Sequence, residues 1–291
     1  MFSKSRLLFL ILTASVFVVT NDFKEHPHPA KAQSANDKLT LQIETSNNRY
    51  LQAEPILFGL KLLNQTSSPI QWSGLLQIGQ NTAFLVRNSI GEEKRIDNFY
   101  FGSVLIGQYT MESGKTVQTK SILQEKDLER VFPEAGQYEV RIEFTYDKDN
   151  SGTNKEAIIS NPVAITIDKP TGINREAFDY LKKTLEPSQT KVSPTKLAML
   201  QQHFVDNYRD SVYAKYIIFK LGNNYKFQRE YEKAERELCK IRNENFLFKP
   251  DVERTLQDLA VKLRPMPIIL NLPEDAIPPP IPKPCINQPN L

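Results

Sequence analysis

The sequence predicts two domains of different class, an N-terminal all-β sandwich followed by a C-terminal all-α domain of helical hairpins. Apolar residues recur with period two from residue 38 to residue 168, and with period 3.6 from residue 174 to residue 263. Between them, 169-KPTG-172 sets a proline that cannot join a sheet ladder beside a flexible glycine. The expected domains are therefore residues 37–168 and 171–264. Charge also changes sign there: residues 33–168 carry 13 basic and 17 acidic groups, residues 169–291 carry 20 and 15. Opposite signs fit two separate surfaces.

Residues 1–32 read as an export signal. Lys4 and Arg6 precede the apolar core 7-LLFLILTASVFVV-19, and Ala30-Lys31-Ala32 offers a small-x-small cleavage pattern. The core is shorter than the roughly 20 apolar residues of a membrane span. The alternative is an uncleaved anchor, because 20-TNDFKEHPHP-29 is a long polar spacer. No cysteine precedes residue 239, which excludes an N-terminal lipidated cysteine. Cleavage lowers the net charge from +3 to +1, so nothing marks a nucleic-acid surface. The expected location is the periplasm, the cell surface or the medium, with membrane contact only if the signal is retained.

In the first domain, 39-LTLQI-43, 56-ILFGLKLLN-64 and 138-YEVRIEF-144 alternate apolar and polar residues, as strands with one face on a core do. Turn signals at 64-NQTSSP-69, 88-NSIGEE-93, 112-ESGK-115 and 147-DKDNSG-152 separate short strands. In 133-PEAGQYEVRIEF-144 a corner of small residues precedes Tyr138 and an alternating strand. With 54-EPILFGLKLLNQTSSPI-70 and 160-SNPVAITI-167, this resembles the immunoglobulin-like modules of exported bacterial proteins. The resemblance implies that the Tyr138 hydroxyl folds back onto upstream backbone. It departs from antibody domains in having no cysteine pair between the sheets, so Trp72 has no disulfide to pack on. Trp72 reads as a half-buried strand residue, with stacking on a sugar or peptide as the other role. Asp147, Asp149, Ser151 and Gly152 match half of a calcium loop, but Ile158 stands where the bidentate glutamate belongs, so they read as a hairpin tip. Asn64-Gln65-Thr66 matches a glycosylation acceptor and reads as an ordinary turn.

In the second domain, Ala177, Phe178, Leu181 and Leu185 form one helical stripe within 174–185. Ser193-Pro194 caps a second helix striped by Leu197, Leu200, Phe204 and Tyr208. A third opens near Asp210-Ser211 and buries Ala214, Ile217, Ile218 and Leu221. A fourth, 229-REYEKAERELCKI-241, carries Tyr231, Ala234, Leu238 and Ile241. Pro250 opens the last, striped by Val252, Leu256, Leu259 and Leu263. Ile218, Leu221-Gly222, Tyr225, Ala234 and Leu238 fall at the spacing of the tetratricopeptide repeat, which this hairpin resembles. The resemblance implies that Gly222 and Ala234 are small because paired helices approach closely, with Leu221, Tyr225 and Leu238 filling the interface. It covers one hairpin; the flanking helices act as degenerate neighbours or caps.

Residues 265–291 hold 9 of the 19 prolines and read as an extended proline-rich tail. Cys239 and Cys285 are the two cysteines, and export allows a disulfide pinning the tail to the fourth helix, with two free thiols as the alternative.

His203 is the one histidine outside the signal region, and no nucleophile motif accompanies it, which argues against Ser-His-Asp or Cys-His catalysis and multi-histidine zinc sites. No cofactor is expected. The expected function is a non-enzymatic exported binding or scaffold protein that recognises a protein or peptide in the cell envelope. Asn223, Asn224, Tyr225, Lys226 and Trp72 are the candidate contact residues. The alternatives are a carbohydrate- or envelope-binding module acting through Trp72, Tyr100 and Phe101, and a carboxylate-dependent hydrolase.

Overall fold

A computed structural model of the chain describes residues 38–73, 76–79, 81–97, 108–123, 126–147, 155–264 and 283–285. Of these, about 37% are helical and 33% lie in strands. The chain is therefore mixed α/β, and the expected division into an all-β and an all-α domain is corrected. Two local features break the division. A helix lies inside the strand-rich half, and the segment Leu51–Pro55 from that half groups with the helices. Among the described residues, the compact units are 38–50 with 56–167, and Leu51–Pro55 with the residues from 168 onward.

In the first unit, β1 (Leu39–Thr45) pairs with β3 (Ile56–Asn64). The short β2 (Arg49–Leu51) lies between them in sequence but joins the other sheet. The remaining strands are β4 (Ile70–Ser73), β5 (Thr82–Asn88), β6 (Glu93–Ile96), β7 (Gln108–Met111), β8 (Thr116–Leu123), β9 (Gly136–Asp147), β10 (Lys155–Ile159) and β11 (Val163–Asp168). One sheet has the order β1-β3-β8; the other runs β2-β11-β9-β4-β7, with β10 and β5 also on β9 and β6 on β5. Strand β9 organises the larger sheet because its 12 residues are long enough to pair in succession with β11 and β10 along one edge and with β5 and β4 along the other. Alternation sends Tyr138, Val140, Ile142, Phe144 and Tyr146 inward from it. They share one core with Ile56, Phe58, Leu60 and Leu62 of β3. Phe58 meets Phe84 of β5 edge to face at 5.2 Å.

The helix inside this unit is α1 (Lys126–Val131), between β8 and β9. Leu128 and Val131, three residues apart, are buried and fall on one helical face. A period-two reading passes over so short a helix. Phe132 follows and packs against Tyr138 at 5.1 Å, while the Tyr138 hydroxyl donates to Glu134 O at 2.8 Å. Burial, and secondarily the Glu134 carboxylate, pushes that phenol's pKa up.

Asn64 closes β3 on the inward face and is wholly buried. Its amide nitrogen donates to Ser68 O and Met111 O, each at 3.0 Å, and its oxygen accepts from the Thr66 backbone N–H and hydroxyl. The side chain is thus committed to holding its turn.

In the second unit, α2 (Gly172–Tyr180) runs into a π-helical segment (Leu181–Leu185) and then α3 (Glu186–Ser188). The Glu186 N–H reaches Leu181 O, five residues back. Pro187 explains the widening: it lacks an N–H, and its ring would collide with the carbonyl four residues earlier in an α-helix. Then come α4 (Pro194–Asn207), α5 (Ala214–Phe227), α6 (Tyr231–Lys240) and α7 (Lys249–Leu263). The Ser193 hydroxyl caps α4 by accepting from the Lys196 N–H. Helix α5 touches α4 and α6, and α6 touches α7. At the α5–α6 contact a Cβ added to Gly222 would lie 2.6 Å from Leu238 Cγ, so only glycine fits. Leu221, Ala234 and Leu238 are fully buried beside it.

Two stability measurements check this packing. Gly222→Ala should destabilise the helical unit by about 1–3 kcal/mol through overpacking, despite alanine's better helix propensity. Leu238→Ala should cost less in that background than in the wild-type chain, because it removes the clash. Urea unfolding followed by circular dichroism reads both. Asn64→Ala strands buried carbonyls and should cost about 1–3 kcal/mol in the same assay.

Candidate functional site

Helix α5 carries four of the five predicted contact residues, and successive positions on a helix point about 100° apart. The structure accordingly sends them to different neighbours. Asn223 donates to Phe219 O of its own helix at 3.0 Å. Asn224 turns to α4, donating to Pro194 O at 3.1 Å and Gln201 Oε1 at 3.2 Å, and it accepts from Gln228. Tyr225 faces α6, with Lys233 Nζ 5.5 Å from its ring centre. Burial, followed by the Glu237 carboxylate, holds its pKa above the usual phenol value. Lys226 reaches α7 and pairs with Asp258 at 2.7 Å. Burial alone would raise the Asp258 pKa, but hydrogen bonds from Lys226 and Lys262 outweigh it and hold it low. Asn224, Tyr225 and Lys226 are joints between helices, Asn223 bonds within its own helix, and the four do not converge on one surface.

Trp72 belongs to the first unit's core. It is 4% exposed, lies edge-on to Phe144 at 5.8 Å, and stacks on Tyr109 at 6.0 Å. Its indole N–H is buried without a hydrogen-bond partner among the described residues. The ring faces the core, as the strand-residue reading has it. Tyr100 and Phe101 lie outside the described residues, as do the signal region and positions 148–154 of the half calcium loop.

The structural residues sit as follows. Leu221, Gly222, Ala234 and Leu238 meet at the α5–α6 contact, and Tyr138 closes the corner before β9. Cys239 and Cys285 form a disulfide with a Cα–Cα distance of 6.0 Å. His203 is exposed on α4, near Asn207 and the ring of Tyr180.

The group beside the predicted cluster that does meet solvent is Phe227, the last residue of α5, at 67% exposure. After it the chain closes in a left-handed cap. Arg229 has φ 63°, its N–H reaches Lys226 O at 3.0 Å, and the Glu230 N–H reaches Tyr225 O at 2.9 Å. This cap moves the start of α6 to Tyr231, two residues later than the sequence pattern suggests. Glycine usually marks such a cap, so an arginine there left no signal. Around the same corner Lys262 of α7 lies over the Tyr231 ring at 5.3 Å. Aromatic side chains and cations thus frame Phe227 along the chain.

Among the described residues, no group of three or more His, Cys, Asp or Glu side chains is arranged to hold a metal ion. No helix among them is long and apolar enough to cross a membrane. The ion pairs are mostly exposed. On the outer face of β5, β6 and β9, Arg87 pairs with Glu93 at 3.2 Å and Arg95 with Glu143 at 2.9 Å, while Arg141 also reaches Glu93. Exposed pairs of this kind add little stability.

No protein-family model matches the chain, and no curated protein matches it. Among solved structures, it is similar to the sporulation control protein Spo0M of Bacillus subtilis at 12% identity and TM-score 0.29, over 50% of this chain and 54% of that one. It is also similar to the CARDB domain of a Pyrococcus furiosus protein in complex with di-metal ions, at 10% identity and TM-score 0.25, over 47% of this chain and 97% of that one. A PapD-like domain of human CEP192 aligns at 11% identity and TM-score 0.26, over 52% of this chain and all of that domain. Likenesses this distant decide nothing about function.

The left-handed cap gives a direct check. Arg229→Gly should stabilise the helical unit by up to about 1 kcal/mol, because relief of a left-handed backbone cost of about 1–2 kcal/mol exceeds the roughly 0.4–1 kcal/mol lost to a freer unfolded chain, and thermal unfolding should show a raised midpoint.

Proposed function

We propose that the chain is an exported, non-enzymatic binding or scaffold protein that contacts a protein or peptide of the cell envelope through the corner between α5 and α6. The observation that carries this reading is Phe227, a large aromatic ring two-thirds exposed at a rigid helix end. Exposed aromatic groups are enriched at the centres of protein interfaces, and a locked backbone lowers the entropy lost on binding. The capped turn through Arg229 supplies that rigidity. Export is supported by the N-terminal charge and apolar pattern and by the Cys239–Cys285 bond, since disulfides persist in oxidising compartments. Tetratricopeptide-like spacing in α5 and α6 fits the same reading, because helical hairpins of that kind commonly display contact residues at their surfaces.

The chain lacking residues 1–32, immobilised against its own envelope extract, tests the proposal. The wild-type chain should retain a specific protein, and Phe227→Ala should lose it while keeping an unchanged unfolding curve. Equal retention by both forms would remove the corner as the contact surface.

A further inference from the structure

We propose that the Cys239–Cys285 bond is a thiol–disulfide latch that holds residues 283–285 on helix α6 and opens without unfolding the helices. This inference is independent of the partner-binding reading. Three observations meet at the bond. First, both cysteines are only half-buried, so a small dithiol can reach them. Second, Cys285 has φ 64°, a left-handed conformation that costs a non-glycine residue energy and that opening would relieve. Third, the helical core is complete without either sulfur: Leu221 and Leu238 meet at α5–α6, and Val252, Leu256 and Leu259 are fully buried on α7.

The non-covalent half of the latch is small and has a defined receiver. The Cys285 N–H donates to Glu235 Oε1 at 3.0 Å, and Pro284 is buried beside it in sequence. Glu235 does not depend on that bond for its charge balance, because Arg264 Nη2 lies 2.9 Å from both of its carboxylate oxygens. Opening therefore leaves a satisfied ion pair on the helices and frees a three-residue segment. It uncovers the place that Pro284 fills. Because the bond closes a sequence separation of 46 residues, its loss raises the effective freedom of the segment considerably.

The chemistry balances with a dithiol as the reductant. One of its thiolates attacks a sulfur of the bond, forming a mixed disulfide and expelling the other cysteine as a thiolate. Its second thiolate then closes on the first, leaving a cyclic oxidised dithiol. Two electrons and two protons pass to the protein, which ends with two thiols.

The full chain treated with dithiothreitol decides the matter, with iodoacetamide labelling, circular dichroism and hydrogen exchange as readouts. The latch predicts two labelled thiols, an unchanged helical signal, and exchange of the Cys285 amide accelerated at least about tenfold, as expected for losing one hydrogen bond to a charged acceptor. Cys285→Ser should reproduce the reduced state without reductant. Loss of the helical signal on reduction or in the variant would make the bond a staple of the fold and overturn the proposal. So would unlabelled thiols, or slow exchange at Cys285 after both thiols are labelled.

Discussion

The close approach of α5 and α6 is the constraint on which the helical half depends. Gly222 is small because Leu238 occupies the space where a Cβ would stand. Once those two helices are fixed, the other contacts of α5 follow from its rotation. Asn224 points to α4, Lys226 to Asp258 of α7, and the Tyr213 side chain preceding the helix donates its hydroxyl to Gln52 O at 2.7 Å. That last contact gives the segment Leu51–Pro55 its place with the helices. Burial, with Glu54 nearby, pushes the Tyr213 phenol pKa well up, as expected for a group kept neutral inside a core. Glu54 itself is raised mainly by burial, although the Leu51 N–H and Lys215 work against the shift.

The strand-rich half follows a different rule. Its apolar alternation decides which side chains turn inward, but its polar side chains close the connections. Asn64 satisfies the turn after β3, Tyr138 the corner before β9, and Asn161 both donates to and accepts from the Ile43 backbone of β1. Each is a side-chain amide or hydroxyl standing in for a missing ladder partner. Buried backbone groups need such partners, which is why Asn64 and Tyr138 are polar where the core encloses them, while Asn161 serves β1 from an exposed position.

Much of this was legible in the sequence, and the failures have physical causes. The alternation in Ile56–Leu62 and Tyr138–Phe144 identifies the inward faces correctly, because period two is a property of extended backbone alone. The overall class was misjudged because α1 spans less than two turns and shows only the pair Leu128 and Val131, too short for a period to declare itself. The π-helical segment was visible only as Pro187, whose effect depends on whether the helix widens or stops. The dispersal of the candidate contact cluster has another cause. Asn223, Asn224, Tyr225 and Lys226 look like an accessible polar run, but consecutive helix positions diverge, and each finds its own partner. Phe227 was indistinguishable from a core residue until its neighbours were placed. Trp72 lies in a strand as the alternation suggests, but one aromatic ring carries no mark of how deeply it is buried.

The central claim is that α4 to α7 form one cooperative unit organised by the α5–α6 contact. Native-state hydrogen exchange over increasing denaturant measures this directly. The account predicts that the slowest amides of α4, α5, α6 and α7 converge on a single opening free energy, since no helix can leave without exposing the contact it shares with α5 or α6. Exchange of α6 through a separate opening, while α4 and α5 stay protected, would contradict it.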